Sequence, residues 1–243
     1  MENSSILQQP STKNHGQLLV VAGYYAFRNL RCKRLQLDEM WAWIYCKEKN
    51  RTEEIARKQP DAGDVWLWVA VDADSKLVAS WRLGQRDLAT ATDFVNDLAR
   101  RVKGRVQITT DALRTYVNVI EDAFGTEADY AQLHKVYRAP MENETRYSPA
   151  RCIGCSTKDV SGNHDPKHIS TSFVVRQNWS VRTSMRRYTR LSNGFSRKLE
   201  NHEVCPRLLC KQPSFVFGDG VPGKGAVPLP RPISVQVGCA FIA

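Results

Sequence analysis

Asp38 lies in the first half of an aromatic and aliphatic run, Leu35 to Tyr45, and Asp111 directly follows a short β-branched run, Val106 to Thr110. Both runs read as strands. In open α/β sheets, reactive side chains collect at strand ends. If the two strands are neighbours, two carboxylates can share one divalent cation. Mg2+ accepts carboxylates octahedrally and keeps positions for water and phosphate oxygens, which suits phosphodiester cleavage. The chain has 25 acidic residues, so spacing alone leaves open that these acids close turns and cap helices. Glu39 follows Asp38, and a regular strand sends it to the opposite face, which makes it a poor substitute ligand. Asp72 and Asp74 sit in the turn after the Val65 to Val71 run.

A second group of residues points to a polyanionic partner. The stretch Phe173 to Leu191 has a helical pattern in which Arg176, Arg182, Arg186, Arg187 and Arg190 alternate with Trp179, Met185 and Tyr188, and positions 182, 186 and 190 fall on one face. Arginines can contact phosphates and aromatic rings can stack on bases; the other reading is a solvated helix face. The formal net charge of +10 agrees with nucleic-acid binding. Cys152, Cys155, His164 and His168 have the form C-x2-C-x8-H-x3-H, a permissive spacing for zinc that is not a standard finger.

The elements that must carry these groups follow from periodicity. Val65 to Val71 is apolar on both faces, as a covered strand requires, and Lys76 to Trp81 completes a three-stranded meander with the first run. Leu88, Ala91, Phe94, Val95, Leu98 and Val102 recur at helical spacing. So do Leu113, Tyr116, Val117, Ile120 and Phe124, with Gly125 as the stop. A fifth strand is expected around Tyr130 to Tyr137. The order β-β-β-α-β-α-β predicts an α/β fold with a mixed sheet flanked by helices. Residues 139–170 lack periodicity and read as an inserted loop before the last core helix. From Val204 onward only Asp219 is acidic, and six of the eleven prolines fall there; this predicts an irregular Pro/Gly-rich tail.

The seven cysteines are irregularly spaced with no signal peptide ahead of them, which favours a reducing cytoplasm over a disulfide framework. Leu18 to Ala26 is apolar but much shorter than the roughly 20 residues of a membrane span, so no membrane role is expected.

Four ordered stretches carry a family resemblance: RNLRCKRLQLDEMWAW at 28–43, GDVWLWVAVDADSKLVASW at 63–81, RVQITTDALRTY at 105–116 and KHISTSFVVRQNWSVRTSMRRYTRLSN at 167–193. Together they resemble the catalytic domain of insertion-sequence transposases of the type 1 group, relatives of DDE transposases and retroviral integrases. The resemblance implies a ribonuclease-H-like catalytic domain over 28–203, between an N-terminal tail (1–27) and the irregular segment 204–243. It places the first two family acids on Asp38 and Asp111, as ligands for Mg2+ or Mn2+. The third, a Glu preceding Arg-Gln-Asn on a helix, falls on Val175, before Arg176, Gln177 and Asn178. It further implies contacts to double-stranded DNA, at element ends and target, by Arg176, Asn178, Arg182, Arg186, Arg187 and Arg190, possible homo-oligomerisation, and a cytoplasmic, nucleoid-associated protein.

Three departures from the family pattern shape the functional expectation. An isopropyl group at 175 offers no lone pair, so strand cleavage and joining should be strongly impaired unless another acid, such as Asp159 or Asp165, reaches the site. The alternative is a catalytically inactive DNA-binding transposase remnant. Residues 1–27 show no helix-turn-helix pattern, which puts sequence-specific recognition of element ends in doubt. The abrupt change near residue 204 would fit a shifted reading frame.

Overall fold

The computed structural model describes residues 28–137, 152–190 and 193–209. The tail 1–27 and the segment beyond 209 lie outside the described residues.

Six strands form one sheet: β1 (Arg34–Ile44), β2 (Gly63–Asp72), β3 (Val78–Gly84), β4 (Val106–Thr110), β5 (Ala128–Tyr137) and β6 (Cys152–Ser161). Their order is β3-β2-β1-β4-β5-β6. The first three pair antiparallel as the expected meander, β1, β4 and β5 run parallel, and β6 returns antiparallel to β5. This is an α/β fold with a mixed sheet flanked by helices, consistent with the ribonuclease-H-like expectation. The strand β6 corrects the expectation of an unstructured insertion over 139–170. Nine of its ten residues are exposed, so this edge strand shows none of the apolar alternation that marks a half-buried one.

Helices cover both faces. On one side lie α2 (Leu88–Arg101) and α3 (Thr115–Phe124); α1 (Glu53–Lys58) is a short excursion between β1 and β2. Asp87 caps α2 by accepting from the Thr90 amide at 2.8 Å, which satisfies an otherwise orphaned donor. Ala91, Phe94, Val95 and Leu98 are fully buried, whereas Leu88, counted in the apolar stripe from sequence, is 61% exposed in the first turn. Gly125 ends α3 at a φ of 51°, in the left-handed region that a residue without Cβ enters freely. This layer buries Leu35, Leu37, Trp68, Ile108 and Tyr130 of the sheet. Trp68 anchors it, with Phe94 and Tyr116 rings at 5.9 and 5.7 Å, separations at which aromatic pairs attract.

The opposite face of β1 and β2, with Met40, Ala42, Ile44, Val65, Leu67 and Val69, packs on α4 (Ser172–Ser184) through Val174 and Val181. The helix predicted over Phe173 to Leu191 stops at Ser184; Arg186–Tyr188 form a separate 3-10 turn. Positions 182, 186 and 190 therefore do not share one helical face. A last helix, α5 (Leu199–Leu209), runs past residue 203, so regular structure extends into the stretch read as irregular. Pro206 within it has no N–H to offer the His202 carbonyl one turn back. The Tyr188 hydroxyl donates to that carbonyl instead, at 3.1 Å.

His202 is fully buried against the Tyr188 ring, its Nδ1 2.9 Å from Ser196 Oγ. Burial, reinforced by Arg187, lowers its pKa from 6.5 to about 4. Because the folded state resists the proton, His202 contributes stability above pH 6.5 that is lost as pH falls towards 4. The full effect is about 3 kcal/mol. Urea denaturation of wild type and His202→Gln across this window should show a shallower pH slope in the variant; equal slopes would contradict the assignment.

Candidate metal centre

The strand β4 is short. Its register with β1 joins Arg34 to Gln107, Leu35 to Ile108 and Gln36 to Thr109, and it ends at Thr110 while β1 continues to Ile44. Asp111 thus leaves the sheet beside Asp38 and Glu39. Alternation places Gln36 and Asp38 towards α4 and Glu39 towards α2 and α3, as the sequence predicts. Yet one carboxylate oxygen from each of Asp38, Glu39 and Asp111 lies within 4.8 Å of the others, because Asp111, beyond the strand end, is not confined to either face. Among the described residues this is the one such group of metal-ligating side chains.

Asp38 is fixed by Asn178, whose Nδ2 donates to Oδ2 at 2.8 Å. Gln36, two residues earlier on the same face, accepts from the amides of Phe173 and Val174 through Oε1. These bonds set the height of α4 along β1. Val175 lies one turn before Asn178, so it sits on the same side of the helix, at 41% exposure. Asp111 folds back to accept from the Leu113 amide at 3.0 Å, which fixes the turn into α3.

The Glu39 side chain is enclosed, 2% exposed. Its Oε2 stands 3.3 Å from Arg86 Nη2, and the same nitrogen is 3.9 Å from Asp111 Oδ2. The other oxygen, Oε1, is buried without a hydrogen-bond partner, as is the neighbouring Tyr116 hydroxyl. Burial, then the charge of Asp111, pushes Asp38 up to about 6 and Glu39 up to about 8. The site favours neutralisation of its own carboxylates. The donors fit a hard divalent ion: all are oxygens, and one is buried and unsatisfied.

The remaining acids named from sequence lie elsewhere. Asp72 accepts from the Asp74 and Ser75 amides in the β2–β3 turn, and Asp74 pairs with Arg34. Asp159 bonds His164 at 2.7 Å, and the Asp165 amide donates to Gln107, in the first half of β4. Neither reaches the cluster, and Val175 has no acidic stand-in from them. The zinc arrangement does not assemble: the Cys152 and Cys155 sulfurs are 3.9 Å apart, while His164 turns to Asp159 and His168 to Arg34.

The arginines differ in role. Arg182 is half-buried and donates to the carbonyls of Trp41 and Tyr188 at 2.9 and 3.1 Å. Burial and Arg190 lower its pKa to about 10. It covers the backbone edge of β1 where no β4 residue pairs. Arg182→Ala should destabilise the protein by about 1.5–3 kcal/mol, the usual cost of stranding acceptors of charged hydrogen bonds; an unchanged urea midpoint would show those bonds to be dispensable. Arg176, Arg186, Arg187 and Arg190 keep exposed side chains, although Arg187 donates to the Asn201 carbonyl. Asn178 faces Asp38 instead of the outside. Trp179 is 65% exposed, whereas Tyr188 is 1% exposed and unavailable to stack on a base.

No family model and no curated protein matches the chain. Among solved structures, the cryo-EM structure of a piggyBac transposase synaptic complex with hairpin DNA is similar at a TM-score of 0.29 and 14% sequence identity. The likeness covers 49% of this chain and 27% of that one, little more than a quarter of that protein's length. No helix among the described residues is long and apolar enough to cross a membrane.

Proposed function

We propose that the chain is a DNA transposase of the insertion-sequence type 1 group, built for cation-dependent phosphodiester cleavage and strand transfer on double-stranded DNA. The observation that carries this reading is the convergence of Asp38 and Asp111, two acids far apart in sequence, on one oxygen cluster where β4 stops beside the middle of its parallel neighbour β1. The four ordered sequence stretches agree with it. Asp38, oriented by Asn178, and Asp111, oriented by its own turn, would hold Mg2+ or Mn2+. When bound, such an ion polarises a phosphoryl oxygen and activates water. The chain's own residues provide the anchored carboxylates and, on α4 and the turn after it, exposed arginines for the DNA backbone. Nucleoid association and assembly into multimers on paired ends belong to the same proposal.

The test is a supercoiled-plasmid assay with Mg2+, Mn2+ or EDTA, run beside a DNA gel shift over a salt series. The expected result is salt-sensitive binding with slow, cation-dependent nicking. Salt-sensitive binding with no nicking in either ion would favour the second reading, a catalytically inactive DNA-binding remnant, for which Val175 is the specific argument. Neither binding nor nicking would end both.

A further inference from the structure

Resting on that reading, we infer that Glu39 is a third cation ligand, so that the ion is held by Asp38 and Glu39 from the middle of β1 and by Asp111 from the end of β4, and that the Arg86 guanidinium holds its place when no ion is bound. Ligand oxygens around Mg2+ at about 2.1 Å stand about 3 to 4 Å apart. A group already within 4.8 Å closes on an ion through small side-chain rotations.

The independent observation is Glu39 itself. A carboxylate with its side chain 2% exposed and Oε1 without a partner is costly unless something else addresses that oxygen. The hydroxyl of Tyr116 lies beside Glu39 and acts on its carboxylate, but leaves Oε1 without a hydrogen bond of normal geometry. Arg86 touches only Oε2, and at 3.3 and 3.9 Å it straddles Glu39 and Asp111 instead of forming a close two-pronged pair with either. Close arginine–carboxylate pairs frequently engage both oxygens. A place-holder would contact two acids loosely, as Arg86 does. Its side chain is 44% exposed and precedes the Asp87 cap of α2, so it can swing outward while the helix and the core remain in place.

Mn2+ binding, followed by titration calorimetry and by the spin-resonance signal of free Mn2+, tests this on the full chain. Glu39→Gln is expected to weaken binding about tenfold or more, the scale of loss for groups that tune a metal site. Glu39→Asp should fall in between, and Arg86→Gln should tighten binding several-fold while lowering the metal-free melting temperature. If Asp38→Asn and Asp111→Asn weaken binding and Glu39→Gln does not, this inference is overturned and the proposed function stands. A wild-type protein that binds no Mn2+ overturns both. Should Glu39→Gln fail to fold, Arg86→Gln decides: unchanged or weaker affinity sinks the inference.

Discussion

Asp38→Asn or Asp111→Asn will reduce cation-dependent plasmid nicking to background, a loss on the order of 10³-fold or more. Groups that cooperate around one reacting phosphate lose most of their effect when any member is removed. Asparagine preserves size and most hydrogen bonds. The Leu113 amide can still donate to an amide oxygen at 111, and Asn178 can still bond an amide at 38, so the fold should survive. The accompanying change is in stability. In the metal-free wild type three acids crowd together, two with pKa values raised to about 6 and about 8. Each substitution removes one repelling charge, which should raise the metal-free melting temperature while abolishing the increase that Mn2+ gives the wild type. A variant that still nicks at more than a tenth of the wild-type rate would remove that aspartate from the chemistry.

Val175→Glu should act in the opposite direction and raise the nicking rate by about 10²-fold. The residue is half-exposed, one turn before the Asn178 that touches Asp38, so a longer polar side chain displaces no core packing. With Asp38, Glu39 and Asp111 binding one ion, a carboxylate on α4 adds the ligand that a second ion needs. Paired ions about 3.5 to 4 Å apart stabilise both attacking and leaving oxygens. The variant should also melt lower without metal and gain more from Mn2+. No change in rate, with the protein folded, would mean that position 175 does not face the reaction and that the sequence alignment to the family acid is misplaced.

Most of the sheet was legible because its strands are either apolar on both faces, like β2, or mark their ends with chemistry, like β4 running into Asp111. The β6 strand was not, since an edge strand facing solvent on both sides has no reason to alternate. Alternation along β1 sends Asp38 and Glu39 to opposite faces, as their adjacency in the sequence predicts. Parity describes the pleat alone and does not reveal that the neighbouring strand stops short, which lets Asp111 lie within 4.8 Å of both acids. The arginine stripe failed for a related reason. Helical spacing ends at Met185, where the backbone turns extended, and Arg182 is held by the sheet edge it covers. A lone arginine beside an unpaired strand edge leaves no periodic trace.

The early stop of β4 has one more consequence. The first residues of β1 are held by neighbours on both sides, whereas Asp38 to Trp43 are paired to β2 alone, and the other edge is sealed by Arg182 and by the Tyr45 amide donating to the Ser196 carbonyl. Amide hydrogens along one strand should therefore exchange at two rates, slow up to about Gln36 and faster beyond it. Asp38 and Glu39 stand where the rates divide, so an ion bound there would draw the looser half of the strand into the slowly exchanging one.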